Sequence, residues 1–149
     1  MSDGLDVIVL DDDAGISRVL KELIESFYTW GEVACFSNAH KAIEHCLKRE
    51  SGVAIFVVDV FLKGMSGFFF LDSIESKFPS VHEDAIMISG KASEDVVDMC
   101  LASNVTYLLE KPVKPYALQL AVRAIMSKYL DFAKRLLRDP SLAESIARL

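Results

Sequence analysis

Four places along the chain carry side chains that could do chemistry together: the acidic run Asp11-Asp12-Asp13, the single Asp59, Ser89 and Lys111. Each follows a short apolar run. Val7-Ile8-Val9-Leu10 leads into Asp11, Val53-Ala54-Ile55-Phe56-Val57-Val58 into Asp59, and Ala85-Ile86-Met87-Ile88 into Ser89; Lys111 follows the run ending at Leu109. Carboxylates brought together repel, by about 4 kcal/mol for two unit charges 4 Å apart at an effective dielectric of about 20. A site that gathers such repulsion calls for a divalent cation, and oxygen-only donors with open positions suit Mg²⁺. A carboxylate, a hard cation, a hydroxyl and an ammonium make a phosphoryl-transfer site. The carboxylate can serve as nucleophile and form an acyl phosphate, while cation and ammonium neutralise charge on the transferred oxygens. Taken singly, each piece is ordinary: an Asp that caps a helix, a Ser-Gly turn, a Lys-Pro boundary. Their joint occurrence at successive strand ends points to chemistry.

The elements that must position them follow from periodicity. The run before Asp59 is continuous and β-branched, which predicts a strand buried on both faces. Ile16, Val19, Leu20, Leu23, Ile24 and Phe27 keep the spacing of one helical face. Val33 to Phe36 reads as a strand, and Ser37 or Asn38 can cap a helix with Ala42, Ile43, Cys46 and Leu47 inward. Gly67 opens a helix carrying Phe68, Leu71, Ile74 and Phe78, and Glu94 to Ala102 forms another, with Val96, Val97, Cys100 and Leu101 apolar. Val105 to Leu109 is the fifth strand, and a long helix starts near Pro115. Five strands alternating with five helices predict an α/β fold: a parallel sheet with right-handed crossovers and helices on both faces. All strand C-termini then lie on one edge, where such sheets carry their sites.

Composition narrows the function classes. The chain has 149 residues, enough for one domain with a substantial core, and is 52% hydrophobic. Its net charge is −6 with no basic block, which argues against direct nucleic-acid contact. No apolar run is long enough to span a membrane, and the polar, acidic start is no signal peptide, so a cytoplasmic location is expected. Cys35, Cys46 and Cys100 lack metal-ligand spacing and read as core thiols. His40 and His45 do not share a helical face, and His82 stands alone.

With these residues in view, the sequence resembles the receiver domain of two-component response regulators over about residues 6 to 130. The resemblance rests on Val9-Leu10-Asp11-Asp12-Asp13, on Asp59 with Leu62 and Gly67, on Ile88-Ser89-Gly90 and on Lys111-Pro112. It implies a flavodoxin-like sheet of strand order 2-1-3-4-5. It implies Mg²⁺ held by Asp11, Asp12, Asp59 and the backbone carbonyl of Phe61, with Asp59 as phosphoacceptor and Ser89 and Lys111 contacting the phosphoryl group. The implied partners are a histidine kinase or phosphotransfer protein as donor, and an output partner the sequence does not name. Lys63 stands where the family often has Pro, which predicts a less rigid loop. Leu108 stands at the family's aromatic switch position, with Tyr107 one place earlier and facing the other way. Phe61 and Lys91 occupy positions that flank the phosphoryl group, and a ring there predicts a long-lived phosphorylated state.

Two other readings compete. Haloacid-dehalogenase-like phosphatases also place an Asp nucleophile after their first strand, and Asp11-Asp12-Asp13 resembles that start. Gly15 stands where that family wants Thr or Val. A receiver-like module that binds partners without phosphorylation is the second. The expected organisation is a receiver domain over residues 1–130 and a helical extension over 131–149, with no room for a helix-turn-helix output domain. On the last helix, Leu118, Val122, Ile125, Tyr129, Phe132 and Leu136 keep an a/d heptad spacing. From Pro115 to Arg138 that helix runs roughly 36 Å, longer than a short-stranded sheet can cover. The far half of the stripe needs a cover, either the segment Ser141 to Leu149 folding back or the same helix of a second chain; a homodimer is favoured, with Leu142, Ile146 and Leu149 able to join the interface.

Overall fold

The computed structural model describes residues 4–147, and within the last helix the side chains of Ala143, Ile146 and Ala147 are outside that description, as is Leu149. Five parallel strands form one sheet: β1 (Val7–Leu10), β2 (Val33–Phe36), β3 (Ile55–Asp59), β4 (Ala85–Ser89) and β5 (Tyr107–Glu110). Their order is β2-β1-β3-β4-β5, the expected 2-1-3-4-5. Helices α1 (Ala14–Glu25), α2 (Ala39–Leu47), α3 (Gly67–Ile74), α4 (Glu94–Ala102) and α5 (Pro115–Arg138) alternate with the strands, and α6 (Pro140–Ala147) follows α5.

Strand alternation divides the core in two. Ile8, Leu10, Phe56, Val58 and Met87 face α2, α3 and α4; Val7, Val9, Ile55, Val57, Ile86 and Ile88 face α1 and α5. The middle strands are buried at every position, which is why their sequences are apolar runs without alternation. Leu108 packs on the first layer and Tyr107 on the second, the opposite orientations read from the sequence.

Helix starts are fixed by short polar side chains. Asp13, Asn38, Ser66 and Ser93 accept backbone N–H groups at the starts of α1 to α4. Pro115 opens α5 instead, since its missing N–H would have no partner there. The inward stripes are narrower than the apolar pattern predicts. Leu20 and Ile24 are buried but Val19 is 61% exposed, and Val96 and Cys100 are buried while Leu101 is 71% exposed. Leu47 and Val97 also lie at the rim. Adjacent helical residues are about 100° apart, so a short helix on a sheet buries one i, i+4 row and leaves its neighbours at the edge. β5 begins two residues later than expected and takes in Glu110.

The middle of α5 is anchored from below. Asp84, 1% exposed just before β4, accepts hydrogen bonds from Lys128 Nζ and the Tyr129 hydroxyl. Burial and the Asp84 charge push the Tyr129 hydroxyl well above its usual range, so it remains a donor. α5 runs unbroken through residue 130 and stops at Asp139, beyond which α6 abuts its end. The three thiols are free; Cys46 and Cys100 are buried, and burial pushes Cys46 up to about 12. Among the described residues, no helix is long and apolar enough to cross a membrane.

Candidate phosphoryl-transfer site

Register brings the acidic residues together. Leu10 pairs with Val58, so Asp11 and Asp59 come next on neighbouring strands, about 5 Å apart in the pairing direction. Ser89 pairs with Glu110, which leaves Lys111 just beyond the end of β5. Strand alternation then sorts the side chains. Asp59 continues the parity of Ile55 and Val57, and Lys111 that of Tyr107 and Leu109, toward α1 and α5; Ser89 shares the parity of Met87, toward the other layer.

The contacts follow that sorting. Lys111 Nζ donates to Asp59 Oδ2 at 2.6 Å and lies 2.9 Å from Asp11 Oδ2. Asp11 is 2% exposed and Asp59 8%. Asp11 Oδ2 is buried, and the Lys111 ammonium is its counter-charge. Burial pushes the Asp11 carboxyl above its usual range; the Lys111 ammonium and the Asp13 N–H oppose that rise, and the Asp59 charge adds to it. Burial also disfavours the Lys111 ammonium, but its bonds to Asp59 and Asp11 and their charges outweigh this and raise its pKa.

Each acidic residue has a distinct job. Asp13 caps α1, accepting from Gly15 and Ile16. Asp11 Oδ1 accepts the Asp13 N–H at 2.9 Å. Asp12 Oδ2 accepts the Lys63 N–H, and Asp59 Oδ1 accepts the Phe61 N–H at 3.1 Å. The loop after Asp59 folds back on itself. Phe61–Leu62 pairs antiparallel with Met65–Ser66 around Gly64, which takes a φ of 81°, and the Lys63 amide is pinned to Asp12. The Phe61 side chain is 66% exposed.

Ser89 is fully buried, but its hydrogen bonds go to Lys91: its hydroxyl donates to Lys91 O at 2.7 Å and accepts the Lys91 N–H at 3.2 Å. Of the expected residues, then, Asp11, Asp59 and Lys111 are in contact, Asp12 and Phe61 join through the loop, and Ser89 is turned into its own turn. Among the described residues, no three His, Cys, Asp or Glu side chains form a metal site unaided. Mg²⁺ does not need three, since it is commonly held by one or two carboxylates with waters and phosphate oxygens.

Sequence reading missed three features. His82 is not alone: its ring nitrogens lie 2.9 Å from Asp72 and 3.0 Å from Glu75 on the side of α3. The Glu110 carboxylate accepts the Ala92 N–H at 2.8 Å. An apolar groove of about 760 Å³ runs beside Lys111, lined by Ile16, Val19, Leu20, Leu23, Pro112 and Val113. The exposed Val19 belongs to this groove.

The fold and the site together define an α/β domain of parallel sheet with two carboxylates, a hydroxyl and an ammonium at the C-terminal edge of its strands. The chain matches the response regulator receiver domain over residues 7–123 and belongs to that family, which is regulatory. Among solved structures it is similar to a response regulator receiver domain protein from Clostridium thermocellum, with TM-score 0.73 and 21% identity over 89% of this chain and 98% of that one. It is similar to the chemotaxis protein CheY4 of Vibrio cholerae, with TM-score 0.68 and 19% identity over 82% of this chain and 98% of that one. It also resembles the BeF3-activated DrrB receiver domain, with TM-score 0.69 and 20% identity over 83% of this chain and 98% of that one. At these identities the likeness is one of fold. No curated protein matches the chain.

Proposed function

We propose that this chain is a phosphorylation-dependent switch whose Asp59 takes a phosphoryl group from the phosphohistidine of a kinase or phosphotransfer protein. The observation that carries the reading is Lys111, whose one ammonium serves two buried carboxylates, Asp59 and Asp11. An Asp59 carboxylate oxygen attacks phosphorus, the phosphorus–nitrogen bond breaks, and the ring, protonated on its other nitrogen, takes the electron pair and leaves as neutral imidazole. Lys111 then offers its ammonium to the phosphoryl oxygens, and the Ser89 hydroxyl turns from Lys91 to join it.

Mg²⁺ fits the donor set by its chemistry: the buried Asp11 oxygen now paired with the Lys111 ammonium, the second oxygen of Asp12, Asp59 and the Phe61 carbonyl, all hard oxygen donors. When bound, it would neutralise charge on the transferred oxygens. The apolar groove beside Lys111 supports a protein donor, because a partner helix can bury Val19 there while presenting its histidine to Asp59.

For the extension we propose a second copy of the chain as partner. On the heptad stripe, Phe132 is 44% exposed beyond the sheet's reach, while Leu136 is half-buried.

The test is intact-mass measurement after incubation with acetyl phosphate and Mg²⁺. The wild type should gain one phosphoryl group, and Asp59→Asn should gain none. An equal adduct on the variant would reject Asp59 as acceptor. Sustained turnover of small phosphate esters would favour the phosphatase reading, and no adduct on the wild type the phosphorylation-independent one.

A further inference from the structure

We infer that the Glu110 carboxylate is a latch that holds the β4–α4 loop in its resting arrangement and so sets how readily Ser89 can engage a phosphoryl group. The inference rests on the phospho-accepting reading above and names a regulator of that same site.

The loop between β4 and α4 has only four residues, Gly90, Lys91, Ala92 and Ser93, and each end is fixed. At its start, the buried Ser89 hydroxyl closes a turn with Lys91, donating to its carbonyl and accepting from its amide. At its end, Ser93 caps α4 by accepting the Val96 N–H. Between them the Ala92 amide points across to β5, where Glu110 Oε2 accepts it at 2.8 Å. Glu110 can reach because it pairs with Ser89 in register, while the Lys111 N–H donates to Ser89 O at 2.8 Å. One strand end therefore holds the loop at Ala92 and supplies Lys111 to Asp59.

Ser89 cannot keep both sets of partners. A phosphoryl group on Asp59 adds roughly −1.5 to −2 charge and draws the hydroxyl as a donor. Moving there breaks the bond to Lys91 O, which leaves the Lys91 turn unsupported. The Glu110–Ala92 bond, between two exposed residues, opposes the loop movement that follows. Among the described residues Glu110 bonds the Ala92 amide and not Asp59; it acts through the loop and is a positioning residue.

The test compares wild type, Glu110→Ala and Glu110→Gln by titration with beryllofluoride and Mg²⁺, together with amide hydrogen exchange at Ala92. Glu110→Ala should bind beryllofluoride about fivefold more tightly, the ratio that about 1 kcal/mol of released hydrogen-bond energy gives. Its Ala92 amide should lose protection. Glu110→Gln keeps an acceptor oxygen and should restore protection and most of the wild-type affinity. Equal or weaker binding by Glu110→Ala overturns the latch, as does an unchanged Ala92 amide. Glu110→Gln behaving like Glu110→Ala in affinity would assign the effect to charge and also overturn it. A wild type that binds no more beryllofluoride than Asp59→Asn would instead sink the phospho-accepting reading and the latch's regulatory role with it, while exchange at Ala92 would still report the bond itself.

Discussion

Lys111 Nζ lies 2.6 Å from Asp59 Oδ2, on a side chain that also balances the buried Asp11. A cation entering the site must share those carboxylates with the ammonium. Asp11→Ala should therefore weaken Mg²⁺ binding strongly, and Asp12→Ala less, since Asp12 already accepts the Lys63 amide. Lys111→Met should tighten it, because a competing positive charge is gone. Metal titration at constant ionic strength measures all three. Unchanged affinity in both Asp variants would remove the metal site.

The Phe61 ring is 66% exposed, while its amide is held by Asp59. It can obstruct a water attacking the acyl phosphate without orienting one. Phe61→Asn should speed loss of the phosphoryl group by about tenfold or more, part of what a positioned polar group contributes to such a step. Following decay of the phosphoadduct by mass decides it. An unaltered half-life would dismiss the shielding role.

Gly67 begins α3 directly against the acceptor strand. A Cβ there would meet Asp59 O at 2.3 Å and Val58 Cγ1 at 3.0 Å. Backbone cannot yield as a flexible side chain can, so Gly67→Ala should cost about 1–3 kcal/mol of stability. It should also displace Asp59 and lower the phosphoadduct yield. Chemical denaturation that matches wild type would show that the loop absorbs the methyl group.

The heptad stripe of α5 divides at Tyr129. Leu118, Val122 and Ile125 are buried against the sheet, Tyr129 is tied to Asp84, and Phe132 is left exposed. Static light scattering should report a dimer for the full chain and a monomer for a version ending at Leu130, which keeps the Asp84 anchor. Phe132→Glu should dissociate the dimer with little loss of fold stability. A monomeric full chain, phosphorylated or not, would refute the dimer.

The order of elements and the strand ends were legible in the residues themselves. A strand buried on both faces must be apolar throughout, and parallel crossovers place every strand's C-terminus on one edge, so Asp11, Asp59, Ser89 and Lys111 all come to that edge. Period and polarity are local, and local signals survive in a single sequence. What tertiary structure alone decided is which partner each side chain takes. Lys111 reaches Asp59 across 52 positions, and Lys128 reaches Asp84 across 44. Ser89 turns to Lys91 because its strand parity points it to the other layer, and Glu110 reaches Ala92 because β5 runs one residue past Leu109. The same holds for Val19, whose apolar side chain fits the helical stripe yet lies in an open groove. A hydrogen bond fails with an error of half an ångström, and a helix rotated slightly on its sheet exposes a different row; neither is written in the spacing of residues along the chain.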